Sequence, residues 1–139
     1  MFNCPYDCGI YRDYPELLIC RPMGFLDAEK VNDIAVCRDC IQRNGLTQVN
    51  RFHNLSNITS VSLNFDDIRS IVIEEVMMRK NAAPIKACYL VPNPVLYGTI
   101  RMYQSLIESA GVEAFVSYEI DELAEILNVN KKILTGRFL

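Results

Sequence analysis

Cysteine is the residue type whose number and spacing most invite a chemical reading. The chain has six, among them Cys37-Arg38-Asp39-Cys40, a CxxC, and Cys4-Pro5-Tyr6-Asp7-Cys8, a CxxxC. Thiolates at Cys4, Cys8, Cys37 and Cys40 would suit tetrahedral zinc if the N-terminal segment folded back on the helix that carries the second pair. The opposing reading puts Cys37 in the core and Cys40 at its edge. Both fall inside a predicted helix, not in the tight knuckle usual for structural zinc. A redox role is weaker, because an activated thiol pair stands at a helix N-terminus and Cys37 sits well inside this helix. Cys20 and Cys88 lie in apolar strands and read as small core residues. In a reducing compartment all six are expected as thiols or ligands, not as disulfides.

His53 is the single histidine. As a base it would need a nucleophile held beside it, and the sequence offers none at a defined spacing. It reads as a partly exposed residue at a strand end. Asp66, Asp67, Glu74 and Glu75 are acidic residues on one predicted helix, but acid–base work needs an opposed pair in distinct environments. They read as a capped, solvated face. No catalytic residue is assigned, and an enzyme of unknown reaction is the third choice of function.

Apolar residues exceed what one helix face needs. In the second predicted helix Ile68, Ile71, Val72 and Val76 form a core stripe, while Ile73 and Met77, spaced i, i+4, point elsewhere. In the third, Ile100, Tyr103 and Ile107 define the main face, and Met102 and Leu106 form a second pair. Surface helices usually keep one stripe. The extra residues imply broad burial, a ligand pocket or a protein interface, and Ile73, Met77, Met102 and Leu106 are the interface candidates.

The elements that must position these groups alternate between strand and helix. Leu17–Cys20 reads as a strand, with 10–12 as a possible hairpin partner. A helix is expected from Asp27 to about Arg43, stopped by Asn44-Gly45. Val49 to Leu55 reads as a strand. A polar stretch over 57–62 then leads to a helix with Asn64 as cap and Asp67 at the capping-box position. Ile85 to Val91 is a continuous apolar strand. Asn93-Pro94 opens the third helix, which ends at Ala110-Gly111, and Val112 to Tyr118 and Asp121 to Leu127 complete the pattern. Such alternation calls for a largely parallel sheet of four to five strands with about four helices packed on it. One domain is expected over 14–127, with a Cys-containing extension over 1–13 and a C-terminal tail over 128–139.

A net charge of −3, with 14 basic and 17 acidic side chains interspersed, gives no basic footprint for nucleic acid. No apolar run is long enough to span a bilayer, and the N-terminus lacks the pattern of a secretory signal. A cytoplasmic location is the expectation.

From Pro22 onward the chain resembles small bacterial proteins of SpoIIAA-like fold, within the wider group of STAS domains and related in shape to CRAL-TRIO lipid-binding domains. The similar pieces are Gly24-Phe25-Leu26-Asp27, Arg51-Phe52-His53-Asn54-Leu55-Ser56 and Tyr97-Gly98-Thr99-Ile100-Arg101-Met102-Tyr103-Gln104, followed by the segment from Phe115 to Leu127. The resemblance implies an α/β SpoIIAA-like domain that regulates by docking. STAS switches carry a phosphorylated serine at the start of the second helix. Here Asn64-Phe65-Asp66-Asp67 stands there, with Ser62 before the cap and Ser70 a turn inside, so phosphoserine switching is not expected. The leading expectation is a non-enzymatic protein-interaction or regulatory module, with a homodimer as its first form. The runner-up is an apolar small-molecule or lipid carrier, which predicts a cavity of roughly 300 Å3 or more.

Overall fold

The computed structural model describes residues 7–13, 16–29 and 41–136 of the chain. Its centre is a five-stranded sheet in the order β1-β2-β4-β6-β7. β1 (Asp7–Tyr11) runs antiparallel to β2 (Leu17–Arg21). β2 is parallel to β4 (Asn50–Asn54), β4 to β6 (Ile85–Leu90), and β6 to β7 (Val112–Ser117). The mixed, largely parallel sheet expected from the alternating pattern is therefore present.

A second element was not foreseen. β3 (Met23–Asp27) and β5 (Asn57–Ser62) form a separate two-stranded parallel sheet. Pro22 separates β2 from β3, and its missing N–H suits a break in the ladder. Gly24, at φ 90°, marks a register shift within the pair, a backbone conformation open to glycine. In β5 the buried residue is Ile58, while Thr59 and Ser60 are exposed. A strand with so little apolar surface reads as a polar loop until its distant partner is known.

Residues 28–29 and 41–43 are helical, at the two ends of the expected first helix. Val31, Ile34, Cys37 and Cys40 lie outside the described residues. The helix α1 (Phe65–Met78) starts at the capping box read from the sequence. The Asn64 side chain accepts from the Asp67 N–H and the Asp67 carboxylate accepts from the Asn64 N–H, both at 2.9 Å. α2 (Pro94–Ile107) has Asn93 as cap and Pro94 in its first turn. A short 3-10 turn (Glu108–Ala110) then ends at Gly111 in the left-handed region, φ 74°. α3 (Ile120–Leu127) ends at Asn128, also left-handed, and α4 (Lys131–Thr135) follows. None of the described helices is long and apolar enough to cross a membrane.

The strand period of two sends alternate residues to opposite faces. Leu17, Ile19, Phe52 and Cys88 pack with Leu123, Leu127 and Leu134 on one face. Ala87, Tyr89, Val112 and Ala114 pack with Val72, Leu96, Ile100 and Ile107 on the other, under α1 and α2. β1 is an edge strand of the main sheet, and its antiparallel pairing of Ile10 with Leu18 and Tyr11 with Leu17 is the hairpin expected from 10–12. Leu134, assigned to the tail, is fully buried, and Arg21 donates to the Leu134 and Gly136 carbonyls at 3.0 and 2.5 Å.

The cysteine expectation changes at one pair. The register of β1 and β2 sets Cys8 directly opposite Cys20, with Cα atoms 4.3 Å apart, and the two are joined as a disulfide. Cys20 is thus half of a cross-strand bridge, not a free core thiol. A bridged sulfur has no thiolate to offer, so in this form Cys8 is withdrawn from the four-cysteine zinc set. Cys4, Cys37 and Cys40 lie outside the described residues. Among the described residues Cys88 is free and buried, and no group of three or more potential ligands gathers.

Candidate functional site

β4 and β6 supply the floor of the site. Their register pairs Arg51 with Ala87 and His53 with Tyr89, while Cys20 of β2 stands on the other side of His53. Cys20, His53 and Tyr89 thus lie in one row across the sheet. Arg51, two residues before His53, projects to the same face. Above this face α1 contributes Glu75 and α2 contributes Thr99, Ile100 and Tyr103. Together they border a cavity of about 130 Å3 whose remaining wall is mostly apolar, including Leu18, Pro22, Leu26, Leu55 and Ile68.

The charged core of the site is an ion pair. Arg51 is 5% exposed and Glu75 2%, and the Arg51 Nη1 donates to the Glu75 carboxylate oxygen Oε1. The sequence reading placed Glu75 on a solvated face, and the structure corrects that. Glu75 follows Ile68 by seven residues and Val72 by three, which is the core stripe itself. Val76, expected in that stripe, is instead 37% exposed.

One turn beyond Glu75, Arg79 is also buried, yet every group of its guanidinium has a backbone partner. Its Nε donates to the Ala110 carbonyl at 3.0 Å, its Nη2 to those of Ala83 and Gly111 at 2.6 and 3.2 Å, and its Nη1 to that of Thr47. It clamps the end of α1 to the loops that precede β6 and β7. Burial lowers its pKa, the neighbouring Arg51 charge lowers it further, and Glu75 acts in the opposite direction. Arg51 differs. Among the described residues its Nε and Nη2 are buried without a hydrogen-bond partner, as is the Nε2 of His53.

His53 stacks on Tyr89, ring centroids 4.6 Å apart and planes 5° apart. Tyr89 meets Tyr103 edge-on at 5.8 Å. Burial first, and then the charge of Arg51, bring the His53 pKa down to about 3, so its ring is neutral near pH 7. Although the residue as a whole keeps partial exposure, its Nε2 has none. Burial, followed by the influence of Tyr103 and a hydrogen bond with it, raises the Tyr89 hydroxyl pKa well above its ordinary value.

Chemically the arrangement can hold and orient more readily than it can react. The sulfur on the wall, that of Cys20, is bridged. Of the hydroxyls on the wall, that of Thr99 is turned back to donate to the Val95 carbonyl of its own helix, and that of Tyr89 is hydrogen-bonded with Tyr103. Among the described residues of the wall, no nucleophile is paired with a base. Of the four interface candidates, Ile73, Met77 and Met102 are exposed, whereas Leu106 is partly buried against the core. They do not take part in the cavity.

Sequence reasoning missed Arg51, Glu75, Tyr89 and Tyr103 as a group. A signal was present all the same: opposite charges occupied two inward-facing positions, one flanking Phe52 on a strand and one on a helix core stripe.

No model of a known protein family matches the chain, and no curated protein does. Among solved structures, the fold is similar to that of an uncharacterised protein of the DUF3478 family from Shewanella loihica PV-4, described as having a SpoIIAA-like fold. The TM-score is 0.57 at 10% identity, over 91% of this chain and 98% of the other. The chain therefore has a SpoIIAA-like fold, as the resemblance implied. At that identity the likeness speaks for fold alone.

Proposed function

We propose that this domain binds a small molecule in the cavity between the β4–β6 face and helices α1 and α2. One observation carries the reading: among the described residues, Arg51 Nε, Arg51 Nη2 and His53 Nε2 are buried without partners on the wall of a mostly apolar cavity. Buried polar groups are nearly always hydrogen-bonded, and a few convergent polar atoms in an apolar pocket are the usual make-up of a ligand site. This cavity falls short of the roughly 300 Å3 expected of a small-molecule or lipid carrier, so the reading is of a compact ligand site and not of a carrier. At about 130 Å3 it compares with engineered cavities of ~150 Å3 that accept benzene, so the ligand or its buried part is compact. Protein-observed NMR with a library of compact aromatic and branched aliphatic probes tests this. Shifts confined to Arg51, His53, Tyr89 and Tyr103 are expected, and a chain whose signals ignore every probe would discard the reading.

The docking role implied by the resemblance is retained as a second reading, on a separate observation. Ile73 and Met77 on α1 are 51% and 73% exposed, one turn apart on the surface. Self-association through this face is compatible with ligand binding beneath it. Native mass spectrometry across a dilution series reports it, and a monomer at every concentration would speak against it.

A further inference from the structure

We propose that the cavity selects a small monocarboxylate bearing a compact apolar group, with Arg51 holding the carboxylate. This rests on the small-molecule reading above and adds the charge and shape of the ligand. The Nε and Nη2 of a guanidinium share one edge, and their two N–H groups match the two oxygens of a carboxylate. In Arg51 that edge is the unpartnered one, because Glu75 engages Nη1. With the residue 5% exposed, bulk water does not supply the missing acceptors.

Charge points the same way. Arg51 and Glu75 cancel, Arg79 adds a second positive charge beside them, and the neutral His53 adds none. Among the described residues the cluster thus carries one positive charge in excess, and an uncompensated charge in a dry interior is unfavourable. A monoanion balances it, whereas a dianion overshoots. A planar carboxylate also fits the fork better than a tetrahedral phosphate, whose remaining oxygens would face an apolar wall without donors. Leu26, Leu55, Ile68 and Ile100 line the rest of the cavity and offer an apolar tail no polar penalty. His53 Nε2 supplies one further hydrogen-bonding atom on the same wall.

Calorimetric titration of the full chain near pH 7 with benzoate, benzyl alcohol and inorganic phosphate tests the assignment. Benzoate is expected to bind at least about tenfold more tightly than benzyl alcohol, since only the carboxylate brings a negative charge and two acceptors to the Nε–Nη2 edge. Phosphate is expected not to bind. Because Arg51→Met alone takes the Arg51 cation from the buried Glu75 carboxylate, the informative variant combines Arg51→Met with Glu75→Met. It should fold and lose the preference for benzoate over benzyl alcohol. Equal binding of benzoate and benzyl alcohol by the native chain, or a benzoate preference that survives in the double variant, overturns the carboxylate assignment but leaves the cavity reading standing. So does tighter binding of phosphate. Silence from all three probes, with His53 and Tyr89 resonances unmoved, overturns both readings and leaves the cavity to water.

Discussion

His53 lies flat against Tyr89, with ring planes 5° apart and centroids 4.6 Å apart, because the parallel register of β4 and β6 sets the two side by side. Each ring shields a face of the other from water. On the side toward Arg51 the imidazole meets a positive charge, and on no described side does it meet a carboxylate of its own. The neutral form follows from this placement.

A pH dependence follows in turn. The native pKa of His53, about 3, lies below the 6.5 of an exposed imidazole. Between those values the unfolded chain binds a proton that the folded chain does not, so stability falls as the pH falls. From pH 8 to pH 5 the loss attributable to His53 is about 2 kcal/mol. His53→Phe keeps a ring on Tyr89 and should remove that loss, as urea unfolding at the two pH values would show. Since the chain has one histidine, an equal acid-side loss in native and variant chains would contradict the buried, neutral assignment.

The Arg51–Glu75 pair should behave asymmetrically on mutation. Arg51→Met leaves a carboxylate buried without its cation and is expected to destabilise by about 3–5 kcal/mol. Replacing both residues by methionine removes the stranded charge along with the pair, and the double variant should lie within about 1–2 kcal/mol of the native chain. Denaturant midpoints of the native chain, the single variants and the double variant form the cycle that measures it. Additive losses in the double variant would mean that the two side chains do not depend on one another.

What the sequence showed and what it hid divide along a physical line. Capping boxes, proline in a first turn and glycine at a helix end are local devices, complete within a few residues. Asn64 with Asp67, Asn93 with Pro94, and Gly111 all stand where they were read. β3 and β5 make their ladder with each other across some thirty residues of chain, and neither has enough apolar alternation to announce itself alone. The Arg51–Glu75 pair is non-local in the same way. A charge on a strand and a charge on a helix are each unremarkable until the fold lays one over the other. Cys20 matched its core reading by apolar context, yet only the hairpin register with Cys8 reveals a bridge.

That bridge predicts a redox-dependent stability. It closes a loop with a sequence separation of 12, for which restriction of the unfolded chain contributes about 2–3 kcal/mol. Cys8→Ser with Cys20→Ser, or reduction by a thiol, should lower the unfolding free energy by that amount and loosen β1 first, since it is an edge strand paired to β2 alone. Hydrogen exchange read strand by strand is the measurement. Faster exchange confined to residues 7–11 fits the bridge, while a uniform change, or none, does not.

The exposed pair on α1 leads to the last expectation. Ile73 and Met77 contribute little to the monomer, since their surfaces remain in water, so Ile73→Glu with Met77→Glu should change monomer stability by less than about 1 kcal/mol. If the face mediates self-association, the same two charges enter an apolar contact without partners, which weakens association through the desolvation each requires. Sedimentation velocity distinguishes the effects, because unfolding and dissociation alter the frictional ratio and the mass separately. A double variant that stays folded and becomes monomeric supports the interface. A variant that unfolds would show that these side chains serve the core, and an oligomer that survives unchanged would move the contact elsewhere on the surface.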